Sequence, residues 1–193
     1  MKSIAVFCGS SDGYSDLYKE VAYEVGVELA TRGIKLIYGG AKVGLMGALA
    51  DGALQINGQV IGVIPSFLQT KEVAHENLTE CIITHTMHER KMKMHELSDA
   101  IIALPGGWGT MEELFEMMTW AQLGLHQKPI GLLNINGFYE PLLALLDTMV
   151  MEGFSKESYR SMVMVGYDLN ELLVQMQRYE PPELPKWITE KTT

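Results

Sequence analysis

Positive charge, cysteine and long hydrophobic runs are all scarce in this chain, and each shortage removes a class of function. Fifteen lysines and arginines stand against twenty-four aspartates and glutamates, a formal net charge of −9 over 193 residues. A nucleic-acid coat needs a basic stripe, so no nucleic-acid partner is expected. An anionic small molecule stays open, because oriented backbone N–H groups and a few cations can dominate one pocket. Only two cysteines occur, Cys8 and Cys81, on separate expected elements. With no secretory leader at the N-terminus, that predicts a reduced, cytoplasmic setting. No segment approaches the roughly 20 apolar residues of a membrane span, so no membrane partner is expected either.

What the chain does have is core. Apolar residues make up 47% and charged ones 20%, which argues against disorder. The length suits one domain over residues 1–193, with the stretch 181–193, bearing Pro181, Pro182 and Pro185, as an extended tail. Thirteen methionines and a mean hydropathy of +0.06 suggest more buried surface than a small monomer has, as a homo-oligomer would provide.

Strand-like and helix-like patterns alternate throughout. Strands are expected over residues 3–8, 34–38, 59–64, 78–84, 100–104, 129–133 and 159–165. Helices are expected over 15–32, 45–55, 89–97, 110–123, 139–152 and 169–178, with Val21, Val25 and Leu29 on one face of the first and Gly33 closing it. Residues 65–77 read as loop. Short Ile/Val/Leu runs alternating with helices predict a parallel sheet covered on both faces, a doubly wound, Rossmann-like α/β domain. Ligands bind such sheets beyond the carboxyl ends of the strands.

Three glycine-bearing turns follow strands: Cys8-Gly9-Ser10-Ser11, the run from Gly39-Gly40 through Gly44 to Gly47, and Pro105-Gly106-Gly107-Trp108-Gly109-Thr110. Taken singly, each is an ordinary strand-to-helix connection. Converging at one sheet edge, they point to a nucleotide or sugar-phosphate site, since glycine admits bare backbone and helix-start N–H groups attract anions. Leu45 and Met46 stand where a P-loop needs Lys and Ser/Thr, and no turn reads G-x-G-x-x-G. The third turn also delivers Glu112 and Glu113. Thr110 and Glu113 have the spacing of a capping box, which would explain both by helix stability and leave Glu112 as a first-turn acid. Beside a phosphate cradle, a carboxylate can instead stabilise an oxocarbenium-like state and orient water.

Positive charge is concentrated in Met87-His88-Glu89-Arg90-Lys91-Met92-Lys93. Arg90 suits a bidentate grip on phosphate or carboxylate; Lys93 reads as a solvated face. His75, His88 and His95 are each followed by glutamate, but Thr79, Met92 and Asp99 stand four residues on, so H-E-x-x-H is never completed. Both cysteines read as apolar residues rather than ligands. No G-x-S-x-G is present, which disfavours a serine hydrolase. Trp108, at the tip of a glycine turn, is placed to cover a base or a pocket mouth.

P-G-G-x-G-T-x-x-E at 105–113, Gly-Gly-x-x-x-Gly-Leu-Met-Gly at 39–47, Met-His-x-Arg-Lys at 87–91 and Thr-Trp-Ala-Gln-Leu-Gly at 119–124 together resemble the LOG (Lonely Guy) family. These are cytokinin riboside 5′-monophosphate phosphoribohydrolases, often mislabelled lysine decarboxylases. The resemblance implies a Rossmann-like homodimer that cleaves the N-glycosidic bond of an adenosine-type 5′-monophosphate, AMP or an N6-modified relative, without metal or organic cofactor. It places catalysis on Arg90 and Glu113 and phosphate binding on Gly106, Gly107, Gly109 and Thr110. Ser10, Gly40, Gly44, Glu72, Met87, Lys91 and Glu112 would line the rest of the site. Trp108 stands where many relatives have tyrosine. A second reading, on the same fold, is a non-catalytic nucleotide or molybdenum-cofactor carrier. The decarboxylase label would need pyridoxal phosphate on a Schiff-base lysine.

Overall fold

The computed structural model describes residues 1–69 and 74–182. The apolar runs form strands β1 (Ser3–Phe7), β2 (Lys35–Tyr38), β3 (Val60–Pro65), β4 (Glu80–Thr84), β5 (Ala100–Ala103), β6 (Ile130–Leu133) and β7 (Val163–Gly166). Between them lie helices α1 (Asp16–Thr31), α2 (Gly44–Gln55), α3 (Met87–Leu97), α4 (Trp108–Gln122), α5 (Glu140–Met151), α6 (Glu157–Arg160) and α7 (Leu169–Gln177). The seven strands make one sheet in the order β4-β3-β2-β1-β5-β6-β7, with every pairing parallel. This is the doubly wound, Rossmann-like α/β architecture. The strand order reverses between β1 and β5, so the crevice beyond their carboxyl ends is where such a sheet receives ligands.

Alternate residues of each strand feed opposite cores. Ile4, Val6, Leu36, Tyr38, Ile102 and Leu104 pack with α1, α2 and α7. Ala5, Phe7, Ile37, Val63, Ile101 and Ala103 pack on the other face with α3, α4 and α5. Burial on both sides is why these strands read as continuous apolar runs rather than alternating ones. Gly33, at φ +66°, ends α1 as foreseen: its N–H bonds Ala30 and the N–H of Ile34 bonds Leu29, a Schellman closure.

The elements follow the expected order, and the differences are local. Residues 159–165 were expected as one strand; instead a helical turn, α6, holds Glu157–Arg160 and only Val163–Gly166 pairs with β6. β4 begins at Glu80 rather than 78, because Thr79 gives its hydroxyl oxygen, not a ladder carbonyl, to the N–H of Val60 at 3.0 Å. α3 starts at Met87 and α4 at Trp108, each two residues early, and both shifts bear on the site. Glu72 and residues 183–193 of the expected tail lie outside the described residues. Among the described residues no helix is long and apolar enough to cross a membrane.

Candidate active site

The three glycine turns meet, and hydrogen bonds stitch them together. The N–H of Gly9 donates to the carbonyl of Pro105 at 3.1 Å, and the carbonyl of Gly9 accepts from Leu45 and Met46 at 3.0 and 3.3 Å. Gly44 sits against the Ser10–Ser11 peptide so closely that an added Cβ would lie 2.3 Å from the carbonyl carbon of Ser10, and its φ is +62°. The N–H groups of Leu45 and Met46, in the first turn of α2, are therefore occupied by protein. The second turn holds the first in place, and two of its helix-start donors are already spent on that joint.

The third turn is different. α4 takes Gly107 as its N-cap without a side-chain cap, and the first intrahelical bond runs from Met111 N–H to the Gly107 carbonyl. Among the described residues, no hydrogen bond is donated by the backbone N–H groups of residues 106–110. Among the described residues, an added Cβ at Gly107 or Gly109 would meet nothing within 4 Å, so those glycines face open space. Unfilled N–H groups at a helix start, with no side chain in front of them, constitute an anion cradle. Gly106 has a packing role: its Cα lies against the Thr110 hydroxyl, where a Cβ would come within 2.1 Å.

Because α4 begins at Trp108, Thr110 is its third residue and Glu113 is carried inward. The capping-box reading of this pair is thereby corrected: Thr110 caps nothing, and Glu113 is buried. Its Oε1 accepts from Arg90 Nη1 at 3.0 Å. Arg90, also buried, donates from Nε to the Val63 carbonyl at 3.0 Å and from Nη2 to the Gly39 carbonyl at 3.4 Å. Gly39 is required there, since a Cβ would stand 2.3 Å from Nη2. Burial pushes the Glu113 carboxyl up to about 7, with the neighbouring Glu112 and Glu116 adding to the rise and Arg90 and Lys91 opposing it. A carboxyl poised there gives and takes protons near neutrality.

The Arg90–Glu113 pair lines a cavity of about 210 Å³. Of the residues singled out in the sequence, Ser10, Met87, Gly107, Gly109 and Thr110 also line it. Gly106 lines an adjoining cavity of about 290 Å³ that shares Gly9, Ser10 and Gly107. Gly40 and Gly44 line neither; Gly40, at φ +82°, turns the chain after β2 and accepts from the N–H of His75. Lys91 and Glu112 bond each other on the adjacent faces of α3 and α4, and Lys91 reaches Glu116 at 3.1 Å. Lys93 is on the surface with Glu96, as expected.

Leu68 and Met94 carried no sequence signal; with Cys8 and Met46, which belong to the first two glycine turns, they give the cavity an apolar wall. Only the strand order, which puts β1, α2 and α3 at one edge, brings them together. Burial and the charge of Glu113 raise the Cys8 thiol far above its ordinary range, so it stays a neutral, apolar group. Trp108 stands at the rim with 93% of its surface exposed among the described residues.

A family model described as "Possible lysine decarboxylase" matches residues 46–176. The probable cytokinin riboside 5′-monophosphate phosphoribohydrolase LOGL1 of Oryza sativa subsp. japonica is 49% identical over 176 residues, covering 91% of this chain and 79% of the rice protein. The cytokinin riboside 5′-monophosphate phosphoribohydrolase LOG1 of Arabidopsis thaliana is 46% identical over 180 residues, covering 93% of this chain and 84% of its own. Among solved structures, the molybdenum cofactor binding protein of Rippkaea orientalis superposes with a TM-score of 0.68 over 92% of this chain and 96% of that one, at 23% identity. The last likeness is one of fold.

Proposed function

The chain belongs to the family of cytokinin riboside 5′-monophosphate phosphoribohydrolases, and from that membership we propose that it hydrolyses the N-glycosidic bond of AMP or an N6-modified relative. One observation carries the reading: a buried Arg90–Glu113 pair opens on a cavity whose rim offers helix-start N–H groups with no acceptor among the described residues.

The phosphate would rest on the N–H groups of residues 107–110, which fixes the ribose above the carboxyl of Glu113. The bond from C1′ to the base nitrogen breaks as positive charge develops on the ribose ring. Glu113 stabilises that charge and takes a proton from the attacking water, whose oxygen joins C1′. The departing base carries away the bonding electron pair and takes up one proton from solvent, and Glu113 returns the proton it took from water to solvent, leaving free base and ribose 5-phosphate. Arg90 holds the carboxylate in one orientation. Removing either partner would leave a buried charge unmatched, at a cost of about 3–5 kcal/mol.

A lysine decarboxylase reading finds less support. Among the described residues no lysine lines the cavity, and the nearest buried one, Lys91, is bonded to two carboxylates. The carrier reading has the shared fold behind it but gives the buried acid–base pair no task. A homodimer in the cytoplasm completes the proposal; Met151 and Phe154 at the end of α5 are exposed apolar side chains that a second copy would cover.

Incubation with AMP and with isopentenyladenosine monophosphate, followed by separation of products, should yield free base and ribose 5-phosphate. No base from any nucleoside 5′-monophosphate, in folded protein, would refute the reading. A carrier would keep full ligand affinity with Glu113→Gln and have no turnover to lose.

A further inference from the structure

Next to the Arg90–Glu113 pair, the same two helices make a second polar contact. Lys91 is buried, and its ammonium lies between the carboxylates of Glu112 and Glu116, the latter at 3.1 Å. Consecutive residues on a helix point about 100° apart, so Arg90 faces the cavity while Lys91 faces the adjoining sector. On α4, Glu113 points about 100° from Glu112 and about 60° from Glu116, while Glu112 and Glu116 lie one turn apart, within about 40° of each other. α3 and α4 are thus joined by two parallel rungs, one opening on the cavity and one beside it.

The second rung is more acidic than a fold clasp requires. Glu112 alone would satisfy a single clasping bond, yet Glu116 is present too, and its Oε2 is buried without a partner among the described residues. Leaving a buried charged oxygen unmatched is costly. Taken together, the two rungs set two cations, Arg90 and Lys91, against three carboxylates, Glu112, Glu113 and Glu116. Cys8 faces the group from the end of β1 as a neutral thiol. The surplus negative charge favours one proton held among the acids, and Glu113 is the most buried of them. Burial alone would lower the Lys91 ammonium, but its bonds to Glu112 and Glu116 outweigh this and raise it, so Lys91 stays charged.

We propose that Lys91 and Glu116 are positioning residues for the hydrolysis, forming a second α3–α4 rung that fixes the Glu113 carboxyl against Arg90 and sets the proton it carries. This rests on the hydrolase reading above. It gives Lys91 a task other than direct contact with substrate, since its ammonium is already engaged by two protein carboxylates.

The test combines turnover with a measurement that needs none. Glu116→Gln, Lys91→Met and Lys91→Arg are compared with wild type by the pH profile of kcat on AMP and by carbon-13 NMR titration of Glu113 in the unliganded protein. Glu116→Gln should move the Glu113 titration and the acid limb of kcat down by about half a pH unit, or about threefold more turnover well below the limb. KM should stay within about twofold of wild type, the mark of an effect outside uniform substrate binding. Lys91→Met should move both upward, and Lys91→Arg should return them toward wild type. If Lys91→Met does not fold, Glu116→Gln alone decides. A Glu113 titration unmoved by Glu116→Gln overturns the proposal, as does a large rise in KM with an unmoved limb in Lys91→Met. Absence of turnover in wild type would strike the hydrolase reading, and the NMR titration would still report on the clasp.

Discussion

Two glycine-rich turns lead into helices at the same edge of the sheet, and in the sequence they look alike. In the turn from Gly39 to Gly47, the first helix N–H groups, of Leu45 and Met46, bond the carbonyl of Gly9. Gly44 there has positive φ and no room for a side chain. In the turn from Pro105 to Thr110, the corresponding N–H groups have no acceptor among the described residues, and Gly107 and Gly109 look onto open space. The first is a structural joint that fixes the Gly9–Ser10 loop. The second is a receptor. Glycine content alone therefore says little about anion binding; what distinguishes the two turns is whether the backbone donors are already engaged.

The largest expected effect checks that the open turn is the one tied to chemistry. Glu113→Gln should lower kcat by about 10²–10⁴-fold, as loss of a positioned acid–base group does, while the protein still binds AMP in a calorimetric titration. Unchanged turnover would separate the cradle from catalysis. Next comes a paired substitution that sharpens the contrast. Gly44→Ala should cost about 3 kcal/mol in urea unfolding, from a strained backbone and overlap with Ser10. Gly109→Ala, by contrast, should leave stability unchanged or raise it by about 0.5 kcal/mol, since alanine suits a helix and meets no atom there. Its penalty should fall on binding, with KM for AMP rising about tenfold. The reverse pattern would dissolve the distinction between joint and receptor.

The smallest effect is in pH. With Glu113 raised to about 7, turnover that needs the carboxylate should fall on the acid side of that value and level off above it. The same raised value means that folding takes up a proton. That share of stability is complete below the unfolded value of about 4.5 and is lost as pH rises through about 7, so activity and this part of stability run in opposite directions. An acid limb near pH 4.5 would show that Glu113 is solvated.

Most of the fold was legible because strands buried on both faces write themselves as apolar runs, and because Gly33 and the glycine turns mark where elements end. The helix starts were less legible. Two T-x-x-E stretches, Thr86 to Glu89 and Thr110 to Glu113, carry the same capping spacing. In the first, Thr86 accepts from the Glu89 N–H at 3.1 Å while Glu89 accepts from the His85 N–H at 2.8 Å, a true cap that starts α3 early. In the second, α4 has already begun at Trp108, behind its N-cap Gly107, and the glutamate turns to Arg90 instead. Spacing cannot separate these cases, since the choice depends on a tertiary partner on another helix. For the same reason, neither the engagement of Lys91 by Glu116 nor the place of Leu68 and Met94 in the cavity wall had a local signature.

The most direct test of the open turn is to follow backbone amide signals by NMR as ribose 5-phosphate is added. The resonances of residues 107–110 should shift saturably while those of Leu45 and Met46 stay where they are. Saturable shifts at Leu45 and Met46, with residues 107–110 unmoved, would contradict the account.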